Sequence, residues 1–461
     1  MFSQTISAIS TPRGSGGIAV IRISGDEAIS IADKFIKAKN GKVMSEIKSN
    51  LAFTADIIDD KGDVIDSGIV TIFRSPRSFT GEDTVEISCH GGILVSSQVL
   101  ARSLECGAVQ AGPGEFTRRA FASGKLSLSQ AEAIGELISA KSYAALRLAR
   151  INVDGALKAK TNEIYDEIKS ILSAVYAGID FPDEELSPLT KDEMRQLTAE
   201  VLEKLEKLKT SYKTGHAVVE GIKTVICGKP NTGKSTLLNL LCGKQRAIVT
   251  DIAGTTRDVI TEQVVCGNAS LLISDTAGIH NTFDTVEKFG VERSVQEIED
   301  CELIIAVFDS SAPFDEDDEK IISIVKNQKQ AGATTIGVMN KADKCANPDT
   351  NRLNGIFDKI LIISAKEDAS YGVMESAISE LFSCGMIGEN DGATLTSARQ
   401  YARVCATAER VKEALTALDT AGEDFAGAEL EAAMGVLGEV DGRKVGIEIV
   451  DEIFEKFCVG K

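Results

Sequence analysis

The chain has 461 residues, 43% of them apolar, with no tryptophan and a formal net charge of −19. That length accommodates about three domains of ~150 residues, and so acidic a chain repels polyanions, so an RNA contact must come from a local basic patch or a partner. Ten cysteines without one Cys-x-x-Cys pair, three histidines (His90, His216, His280), no leader of the signal-peptide kind and no apolar run near the ~20 residues that span a bilayer argue against a zinc centre, a disulfide scaffold and a membrane protein, and favour a reducing, cytoplasmic setting.

Residues 1–119 alternate short β-like runs, at 18–23, 68–73 and 84–88, with the glycine loops Pro12-Arg-Gly-Ser-Gly-Gly17 and His90-Gly-Gly92, which predicts a mixed α/β domain. From residue 120 the period becomes helical: Ser127 and Gln130 have capping-box spacing, and Leu128, Ala131, Ile134 and Ile138 follow at helical intervals. The pattern runs to Asp180 and is broken by Pro182 and Asp183-Glu-Glu185, after which a charged helix covers 200–213. Between 224 and 382, apolar runs at 225–227, 271–274, 303–308, 336–339 and 360–363 alternate with helices, the pattern of a parallel sheet covered on both faces. Beyond Gly385, Val404, Ala408, Val411, Leu415 and Leu418 keep a 4-3-4-3 spacing, and Val450, Ile453, Phe454 and Phe457 line the last helix.

The simplest architecture is multidomain: an α/β domain at 1–119, an all-α domain made of 120–215 and 385–461, and a doubly wound, mostly parallel α/β domain at 216–384 inserted into it, because domain termini lie close together. Four serial domains are the alternative.

Gly228-Lys-Pro-Asn-Thr-Gly-Lys-Ser235 follows an apolar run and precedes a helix, as a P-loop must. Its backbone N–H groups, with those of Asn231, Thr232, Gly233 and Thr236, cradle phosphate oxygens at a positive helix end; Lys234 reaches the β- and γ-phosphates and Ser235 a Mg²⁺ ion. Asp275, Thr276, Ala277 and Gly278 end the next apolar run, where a Mg²⁺-linked carboxylate is needed. Asn340, Lys341, Ala342 and Asp343 end a later one and choose the base: guanine offers N1–H and N2–H₂ together, Asp343 accepts both, and adenine leaves that carboxylate unpaired. Ser364, Ala365 and Lys366 end the last run, where a backbone N–H faces the guanine carbonyl. Thr250, Asp251, Ile252, Ala253, Gly254, Thr255 and Thr256 form the candidate switch, with Thr256 a second Mg²⁺ ligand. Ile279 stands where a water-orienting glutamine would be, so another group must do that work, and Glu287 is the candidate.

With these motifs and Ser78-Phe-Thr-Gly-Glu-Asp83, Pro113-Gly-Glu-Phe-Thr117, Gln130-Ala-Glu-Ala-Ile134, Asp180-Phe-Pro-Asp-Glu-Glu185 and the terminal Cys458-Val-Gly-Lys461, the chain resembles the tRNA-modification GTPase MnmE (TrmE) family over essentially its whole length. The resemblance implies an N-terminal domain that binds a tetrahydrofolate derivative (5,10-methylene or 5-formyl) and dimerises, a split helical domain and an inserted G domain. It implies a homodimer, a heterotetramer with an MnmG-type FAD protein, tRNA reached largely through that complex, and addition of an aminomethyl or carboxymethylaminomethyl group to C5 of the wobble uridine (position 34). It places potassium ligands on Asn231, Thr250, Ile252 and Thr255, where the cation replaces an arginine finger; the water-positioning role on Glu287; and folate contacts on Arg22, Glu86, Lys125 and Lys461. A carboxylate such as Glu86 suits a pterin edge and the three cations suit a glutamate tail. Cys458 is a candidate nucleophile beside Lys461. The approach to the last helix, Val440-Asp-Gly-Arg-Lys-Val-Gly-Ile447, lacks the Thr-containing acidic turn expected there. Two further functions fit a G domain: a regulatory GTPase of ribosome assembly, which usually carries a basic RNA-binding appendage, and a folate-dependent methyl transferase with a regulatory G domain.

Overall fold

The computed structural model describes residues 4–12, 14–180, 189–244, 261–274, 301–345, 348–382, 392–443 and 445–460. They form two compact units, Met1–Gly135 with Gly438–Lys461, and Glu136–Leu437. The expected divisions at 119/120, 215/216 and 384/385 follow changes of sequence texture; the units follow contact.

In the first unit, strands β1 (Ile6–Ile9), β2 (Ile18–Ser24), β3 (Ile36–Ala38), β4 (Ala52–Ile58), β5 (Val64–Phe73), β6 (Thr84–His90) and β7 (Val109–Gln110) form a sheet in the order β3-β4-β5-β6-β2-β1-β7. Neighbours are antiparallel, except that β1 and β7 are parallel. Alternation puts Ile21 and Ile23, Val70 and Ile72, and Val85 and Ile87 into the core, where they meet α1 (Ala28–Asp33) and α2 (Ile93–Glu105). Two helices follow, α3 (Glu115–Ala122) and α4 (Leu128–Ser139). The predicted capping box opens α4: Ser127 N–H donates to Gln130 Oε1 at 3.1 Å, and Gln130 N–H to Ser127 Oγ at 3.3 Å.

The second unit begins with α5 (Tyr143–Val153), α6 (Ala156–Asp180) and α7 (Lys191–Val219). Its sheet holds β8 (Ile222–Cys227), β9 (Thr261–Cys266), β10 (Ala269–Ser274), β11 (Leu303–Asp309), β12 (Thr334–Asn340) and β13 (Lys359–Ile362), in the order β13-β12-β11-β8-β10-β9. Five strands are parallel; β9 pairs antiparallel with β10 through the two-residue turn Gly267-Asn268. Helices α8 (Lys234–Lys244), α9 (Glu316–Gln330) and α10 (Ala369–Leu381) accompany the sheet, and α11 (Ala398–Thr420) and α12 (Glu423–Gly438) follow. Central β11 is apolar on both sides and feeds two cores: Ile305 and Val307 join Leu237, Met374 and Ile378, while Ile304 and Phe308 join Ile322 and Val325.

Helix α7 starts at a capping box between Thr190 and Glu193. Its buried Met194, Thr198, Val201, Leu205 and Leu208 repeat the 4-3-4-3 spacing of α11, and the two helices pack together, with Tyr212 stacked on Tyr401 at 4.4 Å. The helix before the inserted sheet thus packs on the helix after it. Ala144, Ala145 and Leu148 of α5 also enter the core of the sheet, which makes the helical and α/β parts one unit.

The chain finally returns to the first unit. Despite the missing Thr-containing turn, the approach segment is anchored: Ser129 Oγ donates to Asp441 Oδ1 at 2.5 Å, and Leu128 N–H to the Asp441 carbonyl at 3.0 Å. The last helix, α13 (Ile447–Glu455), packs Val450 and Phe454 on Leu128 and Ala131, with Ile453 and Phe457 at the margin.

Candidate nucleotide-binding site

Parallel strands β8, β11, β12 and β13 all deliver their carboxyl ends to one edge of the sheet, where α/β proteins bind ligands. Gly228–Gly233 emerges from β8, and Lys234 begins α8. Asn231 has a left-handed backbone (φ 63°), as does Gly233 (φ 99°), where a Cβ would strike Asn340 Nδ2. Glycine is required there on both counts. Buried Thr232 donates its hydroxyl to the Lys229 carbonyl at 3.0 Å. Lys234 Nζ donates to the carbonyls of Gly228 and Lys229, both at 2.9 Å, and burial holds its pKa below the usual lysine value. Ser235 and Thr236 lie exposed on the first turn of α8, a position from which Ser235 fits a Mg²⁺ ion beside bound phosphates.

Asn340, only 3% exposed, ties two motifs together: its Nδ2 donates to the Thr232 carbonyl at 2.8 Å, and its Oδ1 accepts from Ala365 N–H at 2.9 Å. Both ends of this amide, and the Ala365 N–H, are thereby engaged within the protein. Lys341 (φ 65°) pairs with Asp309 at the end of β11 at 2.6 Å. Burial would raise the Asp309 pKa, but hydrogen bonds from Lys341 and Ser311 outweigh it and hold the carboxyl at about 2. Asp343 is exposed, with Oδ1 accepting from Ser364 Oγ at 3.0 Å, so the carboxylate plane is set before a base arrives. Ala342 N–H donates to the Ile363 carbonyl at 3.1 Å, Ser364 is buried, and Lys366 is exposed beside them. Thr250, Asp251, Ile252, Ala253, Gly254, Thr255, Thr256, Asp275, Thr276, Ala277, Gly278, Glu287 and Lys461 lie outside the described residues.

In the first unit, Arg22 and Glu86 face each other in register across β2 and β6 and form an ion pair, 2.8 Å from NH2 to Oε1. The family resemblance implies Glu86 at a pterin edge and Arg22 at an anionic tail; here the two charges pair with each other, because adjacent strands place them side by side. The rings of Phe79 and Phe116 lie 5.6 and 5.4 Å from the Arg22 guanidinium carbon. Exposed Lys125 donates to the Pro76 carbonyl at 2.8 Å, in the loop that carries Phe79. Cys458 is exposed, its carbonyl accepting from Gly114 N–H at 3.3 Å. Val459 bridges Pro113, and Gly460 (φ 98°) lies so close to the Ile9 carbonyl that no Cβ fits. The tail and the Arg22–Glu86 pair therefore meet opposite ends of the short stretch from Pro113 to Phe116. Phe116 is fully buried and packs behind the Arg22 guanidinium, whereas Phe79 is 40% exposed beside it.

Sequence reasoning missed Asp309, Phe79, Phe116 and the cluster of Lys229, Asp315 and Asp318. The signals were present: Asp309 closes an apolar run, and Asp315 and Asp318 have the spacing of a helix cap.

A P-loop, the Asn340–Asp343 motif and the Ser364–Lys366 loop on one sheet edge define a guanine-nucleotide hydrolase of the P-loop class. Residues 5–125 match the family described as "GTP-binding protein TrmE N-terminus", and residues 128–458 match "MnmE helical domain". The chain is 38% identical to the tRNA modification GTPase MnmE of Lachnoclostridium phytofermentans over 464 residues, covering 100% of both chains. With that of Bacillus subtilis it shares 38% over 463 residues, 99% of this chain and 100% of the other. It belongs to the MnmE family of tRNA modification GTPases. A crystal structure of an Aquifex aeolicus Era variant overlaps 41% of this chain and 65% of that one, at 25% identity and a TM-score of 0.26. Among the described residues no helix is long and apolar enough to cross a membrane.

Proposed function

We propose that this GTPase drives addition of an aminomethyl or carboxymethylaminomethyl group to C5 of the wobble uridine of certain tRNAs, as a cytoplasmic homodimer working with an MnmG-type flavoprotein. The observation that carries this reading is full-length similarity to tRNA modification GTPases combined with a second candidate site, at Arg22 and Glu86, in the same chain. The division of labour follows the sequence segments: 1–119 for folate and dimerisation, 216–384 for GTP, and 120–215 with 385–461 for the helical frame.

Lys234 leaves the Gly228 and Lys229 carbonyls and moves to the β- and γ-phosphates, while Asp343, already fixed by Ser364, accepts both guanine donors. Ser235 and Thr256 would hold Mg²⁺, which would supply positive charge to the transferring phosphoryl group. Asn231, Thr250, Ile252 and Thr255 would hold potassium, which would stabilise the same developing charge. Glu287 orients the attacking water. Arg22, Glu86, Lys125 and Lys461 would hold a tetrahydrofolate, with Glu86 at the pterin edge, and the cofactor would supply the one-carbon unit. Cys458, exposed at the same stretch as the Arg22 pair, is the candidate nucleophile.

The test is nucleoside analysis of tRNA from cells lacking this protein. The expected result is loss of the C5 group at position 34, restored by the wild-type chain and not by a Glu287→Ala chain; an unchanged nucleoside profile refutes the reading. With purified protein, replacing potassium by sodium should slow GTP hydrolysis markedly, and equal rates would remove the cation from the mechanism.

A further inference from the structure

The second residue of the P-loop is held from outside the loop. Lys229 Nζ lies 2.8 Å from Asp315 Oδ2 and 2.7 Å from Asp318 Oδ2. These carboxylates form the capping box that starts α9: Asp315 accepts from Asp317 N–H and Asp318 N–H at 3.1 Å, and Asp318 Oδ2 accepts from Asp315 N–H at 3.2 Å. Asp318 is only 3% exposed, so its charge is buried, and the loop lysine is paired with it.

The other anchors of the loop are unequal. Asn340 holds Thr232, at the middle of the loop. Lys234 holds the carbonyls of Gly228 and Lys229, but an ammonium has only three donors, so contact with both the β- and γ-phosphates gives up at least one of those bonds. The carboxyl end of β8 then needs another tether, because a loop with left-handed backbone at Asn231 and Gly233 persists only where its surroundings over-determine it. The Lys229 side chain, pointing to α9, does not compete for phosphate. It also pairs with the N-cap acid Asp315 and with Asp318, one of four acids in the first turn (Glu316, Asp317, Asp318 and Glu319), next to a site for a polyanion.

We propose that Lys229 is a positioning residue of the nucleotide site: clamped by Asp315 and Asp318, it keeps the P-loop in its phosphate-binding shape and shields the bound phosphates from those carboxylates. This rests on the reading of the loop as a GTP site. Removing one partner of a buried ion pair leaves the other charge uncompensated. The loss should therefore be larger for the more highly charged ligand and smaller in high salt, which screens it.

The experiment measures the Kd of GTP and GDP, at low and high ionic strength, for the full chain and for Lys229→Met and Lys229→Arg. The expected result for Lys229→Met is a GTP Kd raised about tenfold at low salt, a smaller rise for GDP, and a gap between the two that narrows as salt is added. Lys229→Arg, which can bridge both carboxylates, should restore wild-type binding. Equal loss for both nucleotides, independent of salt, or a Lys229→Met Kd within about twofold of wild type, overturns the proposal. If Lys229→Met does not fold, Asp315→Asn decides: asparagine keeps the helix cap and removes one anchor, so GDP should dissociate severalfold faster, and an unchanged rate overturns the proposal. A wild-type chain that binds neither nucleotide refutes the GTP site itself, a result separable from all of these.

Discussion

At the residue scale, the site depends on side chains that touch protein as much as on those aimed at ligand. Asn340→Ala leaves the Thr232 carbonyl and the Ala365 N–H without partners in a buried setting. The expected cost is about 2–4 kcal/mol in a denaturant titration, accompanied by loss of GTP binding; a stable variant that still binds would show that the strut is dispensable. Asp343→Asn leaves the Ser364 contact possible but turns an acceptor towards a donor, so preference should move from guanine to xanthine nucleotides. GTP affinity should fall by roughly 10²-fold or more, measured by competition, and unchanged GTP affinity would refute the base-reading role. The motif residues were legible because their chemistry requires a fixed order: Gly228 to Ser235, then Asn340 to Asp343, then Ser364 to Lys366. The internal duty of Asn340 was not, since an amide that bonds backbone has the same sequence signature as one that bonds a base. Likewise the pairing of Arg22 with Glu86 was not legible, since it depends on the register of β2 and β6.

At the element scale, periodicity predicted β8, β10, β11 and β12, whose apolar runs reflect burial in the interior of the sheet, and also the apolar edge strand β13. It passed over β9, whose Thr-Glu-Gln start is polar and which lies at the sheet edge, and β1, β3, β4 and β7, which are short or irregular in pattern. The charged appearance of α7 concealed its buried seam against α11. That helix ends at a further ionic junction. His216 lies 3.0 Å from Glu220 and 2.8 Å from Glu302, which also accepts Lys223 N–H at 3.0 Å, so the end of α7 is tied to the starts of β8 and β11. Contact with Glu220 and then Glu302 raises the His216 pKa from 6.5 to about 9, against the opposing effect of burial. Because the folded value is the higher one, the stabilisation is complete below pH 6.5 and is lost as pH rises through about 9. Thermal unfolding of the wild type and His216→Gln should therefore differ by an amount of order 2 kcal/mol near neutrality and converge above the raised pKa. A difference that does not depend on pH would contradict the charged junction.

At the scale of the whole molecule, a chain of net charge −19 keeps its basic contacts local, at the P-loop and at Arg22. By contact the last helix and the Cys458-Val-Gly460 segment group with the N-terminal unit, while sequence texture groups them with the helical domain, because helical periodicity says nothing about which partner a helix meets. Deleting residues 458–461 removes the strand-like contact of Val459 with Pro113 and leaves Glu136–Leu437 intact. GTP binding should persist, while a reduced folate should lose most of its affinity in equilibrium dialysis; retention of full folate affinity would detach the tail from that site.

The most direct measurement is nucleotide binding and turnover by the purified full chain in magnesium and potassium, with ATP as competitor. A chain that cradles phosphates between Gly228 and Ser235 and checks the purine with Asp343 should retain GTP, release phosphate from it, and ignore excess ATP. Failure to retain GTP, or displacement of GTP by an equal concentration of ATP, would contradict it.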